Sequence, residues 1–203
     1  WARAVPEGSS FAIKGSRFCT NRRVLAEAGA SVDKFVRQGI VELGDELGPI
    51  LWQFAPTPRF DPEDFGAFLA LLPKSAEGIR LRHAIEVRHP SFVCPEFVAL
   101  CAKHKVAIIT AGDGEFPLIA DVTADFAYAR IMGTVEKEKL GYSKAAIAKW
   151  ASRAKDWSQG GAPKDLPLLA KPAAKKNRDV FLFVISGAKA RNPAAAQAII
   201  AAL

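Results

Sequence analysis

The chain has 203 residues, half of them apolar, with a formal net charge of +7 at neutral pH, and that composition can bury a substantial core. It contains no run of eighteen apolar residues, so no transmembrane helix is predicted, and no charged-then-apolar leader opens it. Three cysteines without a C-x-x-C pair argue against a disulfide framework and a cysteine-based zinc site.

The first residue is Trp1 rather than Met, and the opening residues lead straight into a strand-like run, which reads as a chain cut inside a domain. That run is "FAIKG" from Phe11. "SVDKFVRQGIVEL" follows as a helix, with Ser31 as its cap and Val32, Phe35, Val36 and Ile40 on one stripe. "ILWQF" from Ile50 is the second strand. "DPEDFGAFLALL" is a helix with Asp61 as N-cap and Pro62 at its first position. "AIEVR" from Ala84 is the third strand, and "CPEFVALCAKHK" repeats the proline start with cations at the helix end. "VAIIT" from Val106 lacks polar alternation, as expected of a strand covered on both faces. "FAYARI" from Phe126 is the fifth strand.

"YSKAAIAKWASRAKDW" predicts a helix with Trp150 and Trp157 two turns apart, ended by Gly160-Gly161. Residues 162–177, with three prolines and four lysines, read as a surface loop. "VFLFVI" from Val180 is the sixth strand, and a last helix starts at Asn192 as cap with Pro193 at its first position. Core packing is expected for Trp52, Trp150 and Trp157.

Alternating strands and helices indicate an α/β protein with a parallel sheet. The arrangement suits a TIM-type (β/α) barrel over residues 1–203, with about six of the eight strands that such a barrel has. In a barrel the carboxyl ends of the strands share one mouth, and each run here ends in polar groups. Lys14 and Arg17 follow the first, Gln53 the second, and Glu86, Arg88 and His89 the third. Asp113 lies past the fourth, Tyr128 and Arg130 sit on the fifth, and Ser186 and Lys189 follow the sixth.

Glu86 and Arg88 are two residues apart and share a strand face, leaving Ile85 and Val87 to pack outward. The set is suited to anion recognition, with arginines able to contact phosphate or carboxylate in bidentate fashion. Glu86 is a candidate general base or an orienting partner for Arg88, and His89 a candidate acid or base. The competing readings are a structural ion-pair network for Glu86, Arg88 and Arg130, and a turn cap for His89. Ser186-Gly187 ahead of the last helix is a weak anion-binding pattern.

The positive charge is local. Residues 134–191 hold 13 Lys and Arg against 5 Asp and Glu, while the rest of the chain holds 15 against 16. Such a segment suits an anionic partner, nucleic acid included, with Lys137, Lys139, Lys171, Lys175 and Lys176 on one face. The plainer expectation is lysines scattered over a solvated surface. The three histidines have no metal-ligand spacing, so neither a metal nor another cofactor is expected.

"FAIKGSRFCTNRRVL", "ELGDELGPILWQFAP", "AIEVRHPSF", "DVTADFAYARIMG" and "VFLFVISGAKARNPAAAQAI" together resemble the YecE-like family, a domain of unknown function (DUF 72). The resemblance implies a cytoplasmic TIM-type barrel of unassigned role, with its first strands absent from this chain. It implies signature polar positions at Lys14, Gln53, Glu86, Arg88, His89, Pro90, Tyr128 and Arg130. Two positions depart from the family pattern. Met132 stands where many members carry a histidine, and Asp113 comes one place later than the usual acid. Both departures speak against a metal or histidine-driven mechanism.

Overall fold

The computed structural model describes residues 4–203, so Trp1 and the inference drawn from it lie outside the described residues. Among the described residues there are eight strands: β1 Phe11–Lys14, β2 Leu47–Gln53, β3 Ser75–Ala76, β4 Ile79–Arg80, β5 His83–Glu86, β6 Ala107–Gly112, β7 Phe126–Ile131 and β8 Asp179–Val184. Six form one parallel sheet in the order β1-β2-β5-β6-β7-β8, and β3 with β4 makes a separate antiparallel pair. The main sheet is a curled half-barrel surrounded by helices, an incomplete TIM-type barrel with β1 and β8 as its edges. Central β6 is buried along its whole length, whereas β8 is partly exposed throughout.

The helices are α1 Arg17–Thr20, α2 Gly29–Val36, α3 Pro62–Leu71, α4 Pro95–His104, α5 Lys144–Ser158 and α6 Asn192–Ile200. Asp61 caps α3 as expected, accepting the N–H groups of Glu63 and Asp64. Asp64 is also a clamp: its carboxylate accepts the N–H groups of Leu25 and Ala26, 38 to 39 residues earlier in the chain, each at 2.9 Å. Two expected caps are corrected. Ser31 lies inside α2, where its hydroxyl accepts from Arg22, and Asn192 is the first residue of α6. The Asn192 amide is engaged elsewhere, accepting from the Thr134 hydroxyl and donating to the Ser186 carbonyl.

Alternation along the strands divides the core in two. Toward the helices, Trp52, Ile85, Val87 and Ile108 join one cluster with α2, α3 and α4. Ala127, Ala129 and Ile131 pack with Trp150 and Trp157 of α5. Toward the lumen, Leu51, Ala84, Ala107, Ile109, Phe126 and Tyr128 form a separate cluster with Phe181 and Phe183. The three core tryptophans are each at most 2% exposed, as expected from the sequence.

β2 carries Pro49 inside a strand with neighbours on both sides, which a proline tolerates where the ladder is interrupted. The interruption is there: Phe11 pairs with Leu47 but Ile13 pairs with Ile50, so β2 has one residue more than β1 over this stretch. Leu47 accordingly packs in the helix-side cluster while Leu51 faces the lumen, although a uniform alternation would put both on one side.

His83 at the start of β5 is buried between two fixed partners. Its Nδ1 accepts from the Trp52 indole at 3.0 Å and its Nε2–H donates to the Pro73 carbonyl at 2.7 Å. Burial pushes its pKa down, against a smaller opposing effect of the Pro73 hydrogen bond. Protonation therefore favours the unfolded chain: stability is intact above the unfolded pKa of about 6.5 and falls as pH drops below it. His83→Gln should flatten this loss by up to about 1.4 kcal/mol per pH unit. Urea unfolding between pH 7 and 5 checks it, and equal slopes in the two proteins would rule it out. His104, also lowered in pKa, titrates in both and cancels.

Candidate anion site at the strand ends

β2 and β5 run parallel with Gln53 opposite Glu86, so both lumen-facing side chains reach the same end of the half-barrel. Glu86 is fully buried, and its two oxygens are divided among three donors. Oε1 accepts from Gln53 Nε2 at 2.7 Å and from Arg88 Nε and Nη2, each at 3.0 Å. Oε2 accepts from Arg130 Nη1. The side chains of Arg88 and Arg130 remain 25% and 15% exposed. One carboxylate is thus pinned beneath two guanidiniums, and the cluster keeps a net positive charge facing outward.

Register explains the convergence. Ile109 lies opposite Tyr128 and Ala111 opposite Arg130, which puts Tyr128 and Arg130 on the lumen face of β7. On the intervening β6 the residue opposite Arg130 is the small Ala111, and Arg130 reaches past it to Glu86. Tyr128 stacks between Phe181 and Phe183, and burial pushes its pKa up to about 12. It therefore stays protonated near neutrality and serves as a hydroxyl rather than a base.

Of the other candidates, Lys14 is exposed at the carboxyl end of β1, beside β2. Arg17 is exposed in α1 with its guanidinium near the ring of its neighbour Phe18. His89 caps the short helical turn Pro90–Phe92: its Nδ1 accepts the Ser91 N–H and lies 2.8 Å from the Ser91 hydroxyl. That is the turn-cap alternative, and it leaves Nε2 as the nitrogen open to other partners.

Asp113 is committed to the helix layer rather than the lumen. It sits at φ +57°, a left-handed turn directly after β6, and accepts from the Trp150 indole at 2.7 Å. Ser186, also at positive φ, has its carbonyl bound by Asn192. Lys189 is exposed in the turn Lys189–Arg191, and α6 begins only after that turn.

Two contributors carried no signal in the sequence. The Phe116 ring lies 4.2 Å from the Arg88 guanidinium carbon and holds it from the β6–β7 loop. The Thr20 hydroxyl donates to the Gln53 carbonyl at 2.8 Å and fixes the end of β2. Among the described residues, no three metal-ligating side chains come together.

The basic segment does not form one face. Lys137 and Lys139 follow β7 and lie at the carboxyl end of the sheet, whereas Lys171, Lys175 and Lys176 precede β8 and lie at its amino end. Other cations of the segment are paired within it, Lys149 and Arg153 with Asp165 and Arg191 with Glu136.

A parallel half-barrel with polar side chains gathered at the strand ends is the architecture of TIM-type barrel proteins. The chain belongs to the DUF72 family: the family model "Protein of unknown function DUF72" matches residues 1–203. Its fold is similar to the crystal structure of a DUF72 family protein from Thermotoga maritima MSB8, with a TM-score of 0.68 and 18% identity over 98% of this chain and 74% of that one. A search of curated proteins gave no match. No described helix is long and apolar enough to cross a membrane.

Proposed function

We propose that the cluster at the strand ends binds a phosphorylated or otherwise anionic small molecule, with Arg88 and Arg130 as principal donors. The observation that carries this reading is the arrangement of two partly exposed guanidiniums on one buried carboxylate. Glu86 fixes their orientation, so their remaining N–H groups meet a ligand with little further loss of side-chain freedom. Gln53 holds the carboxylate from the other side, and Tyr128 and Lys14, on β7 and at the end of β1, are the further residues this reading assigns to the ligand. With its oxygens engaged by three donors, Glu86 acts as a positioning group. The reading is accordingly binding, with hydrolysis requiring a base that neither Glu86 nor the capping nitrogen of His89 supplies in this arrangement.

The test is a thermal-shift screen with a panel of phosphorylated metabolites, run on the parent protein and on Arg88→Ala. Glu86 keeps Arg130 as a cation partner in the variant, so folding survives. A ligand at a hundredfold its Kd raises the parent's stability by about 2.7 kcal/mol. Arg88→Ala should lose most of that response while its ligand-free melting temperature changes little. A parent that responds to no anion, together with a large ligand-free loss in Arg88→Ala, would reduce the cluster to a structural ion pair.

A further inference from the structure

We propose that a second cavity, between α4 and the loop 160–178 at the other end of the sheet, binds an amphipathic carboxylate with a medium-length alkyl chain. The cavity has a volume of about 370 Å³, within the usual range for small-molecule sites. Its walls are largely apolar, with Val98 and Ala102 of α4 on one side and Val122 and Leu168 on the other. Three cations, Lys171, Lys175 and Arg178, lie in the same lining. Its acid, Asp121, is occupied: its two oxygens accept the N–H groups of Leu169 and Ala170, which ties the loop down as a wall. The wall is tight elsewhere too. Gly160 is at φ +82°, and a Cβ there would fall 2.3 Å from the Lys176 nitrogen, so the loop crosses the end of α5 where only glycine fits.

Arg178 gives the cavity its polarity. Its Nη2 donates to the Ala174 carbonyl, while Nη1 is shielded from water and has no hydrogen-bond partner. A shielded guanidinium N–H without an acceptor is destabilising, and a carboxylate in the cavity relieves it once the Arg178 side chain turns from its shielded position toward the lining. Desolvation also lowers the pKa of Arg178, as expected of a guanidinium held without a counter-ion. An apolar chain alone would leave that group unpaired, and a small hydrophilic anion would leave the apolar walls wet. A molecule with both parts satisfies both. This gives the basic loop, which forms no common face with the lysines after β7, a chemical role of its own.

The probe is dodecanoate below its micelle concentration, followed by calorimetric titration and thermal shift on the full chain, with dodecanol and acetate as controls. Dodecanoate should bind and raise the melting temperature, acetate should not bind, and dodecanol should bind at least tenfold more weakly. Arg178→Gln removes the charge, and Ala102→Phe puts a ring into the cavity from an exposed helix position. Each should weaken dodecanoate at least tenfold, while Arg88→Ala at the strand ends should leave it unchanged, which separates this site from the first. Absence of binding to the parent, or an affinity indifferent to both Arg178→Gln and Ala102→Phe, overturns the proposal. Equal affinity for dodecanol overturns the role given to Arg178.

Discussion

Glu86→Ala should destabilise the protein by about 3 kcal/mol or more, the cost of leaving buried ion-pair partners uncompensated. The substitution removes the acceptor shared by Gln53, Arg88 and Arg130 and leaves two guanidiniums facing each other across the strand ends. Their partial exposure lets them turn toward water, which keeps the loss near the lower end of the about 3–5 kcal/mol range for broken buried pairs. Glu86→Gln keeps the shape and one acceptor oxygen and should lose less. Urea unfolding measures both, and a loss below about 1 kcal/mol in Glu86→Ala would mean that the pair contributes little to folding. Adding Arg130→Ala should recover part of the loss, since it removes one of the facing charges.

Trp52→Ala should cost about 3–5 kcal/mol, as truncation of a fully buried aromatic does. The ring packs edge-on against Phe35 and Phe68, and its indole N–H donates to His83. Its position also dictates a glycine just past the end of the neighbouring strand β1. A Cβ at Gly15 would lie 2.4 Å from the Trp52 ring, so Gly15→Ala should cost about 1–3 kcal/mol in the parent. In a Trp52→Ala background the same change has room, and its cost should fall to near zero. Chemical denaturation of the two single variants and the double variant gives the coupling. Additive losses would show that Gly15 is needed for some reason other than the indole.

Much of this site was legible because it depends on parity. Tyr128 and Arg130 are two apart on β7 and share a strand face whatever the curvature of the sheet, and Arg88, two past Glu86 and just beyond the end of β5, still reaches back to it. The apolar neighbours Ile85, Val87 and Ala129 then had to pack toward the helices. Other residues beyond strand ends were less legible, because a single dihedral decides where they point. Asp113 follows β6 directly, but its left-handed φ turns the carboxylate to Trp150. Asn192 had the residue type of a cap, yet competing partners at Thr134 and Ser186 took its amide. Phe116 sits in a loop with no periodicity to mark it. The β3–β4 pair has two residues per strand, too few for alternation to show.

The bulge at Pro49 makes β2 a strand with two phases. Before it, odd-numbered Leu47 points to the helices; after it, odd-numbered Leu51 points to the lumen and Gln53 meets Glu86 at the strand ends. The extra residue works like slack in a chain drive: the bulge takes it up, and the faces on either side stay in step. Loss of one residue at Gly48 or Pro49 would close the bulge and leave a regular strand, in which Leu47, Ile50 and Trp52 keep the helix side and Leu51 and Gln53 keep the lumen. The site at the strand ends is therefore insulated from a change of one residue at the far end of β2. The length that matters is the run from Ile50 to Gln53, where one residue more or less would turn Gln53 away from Glu86.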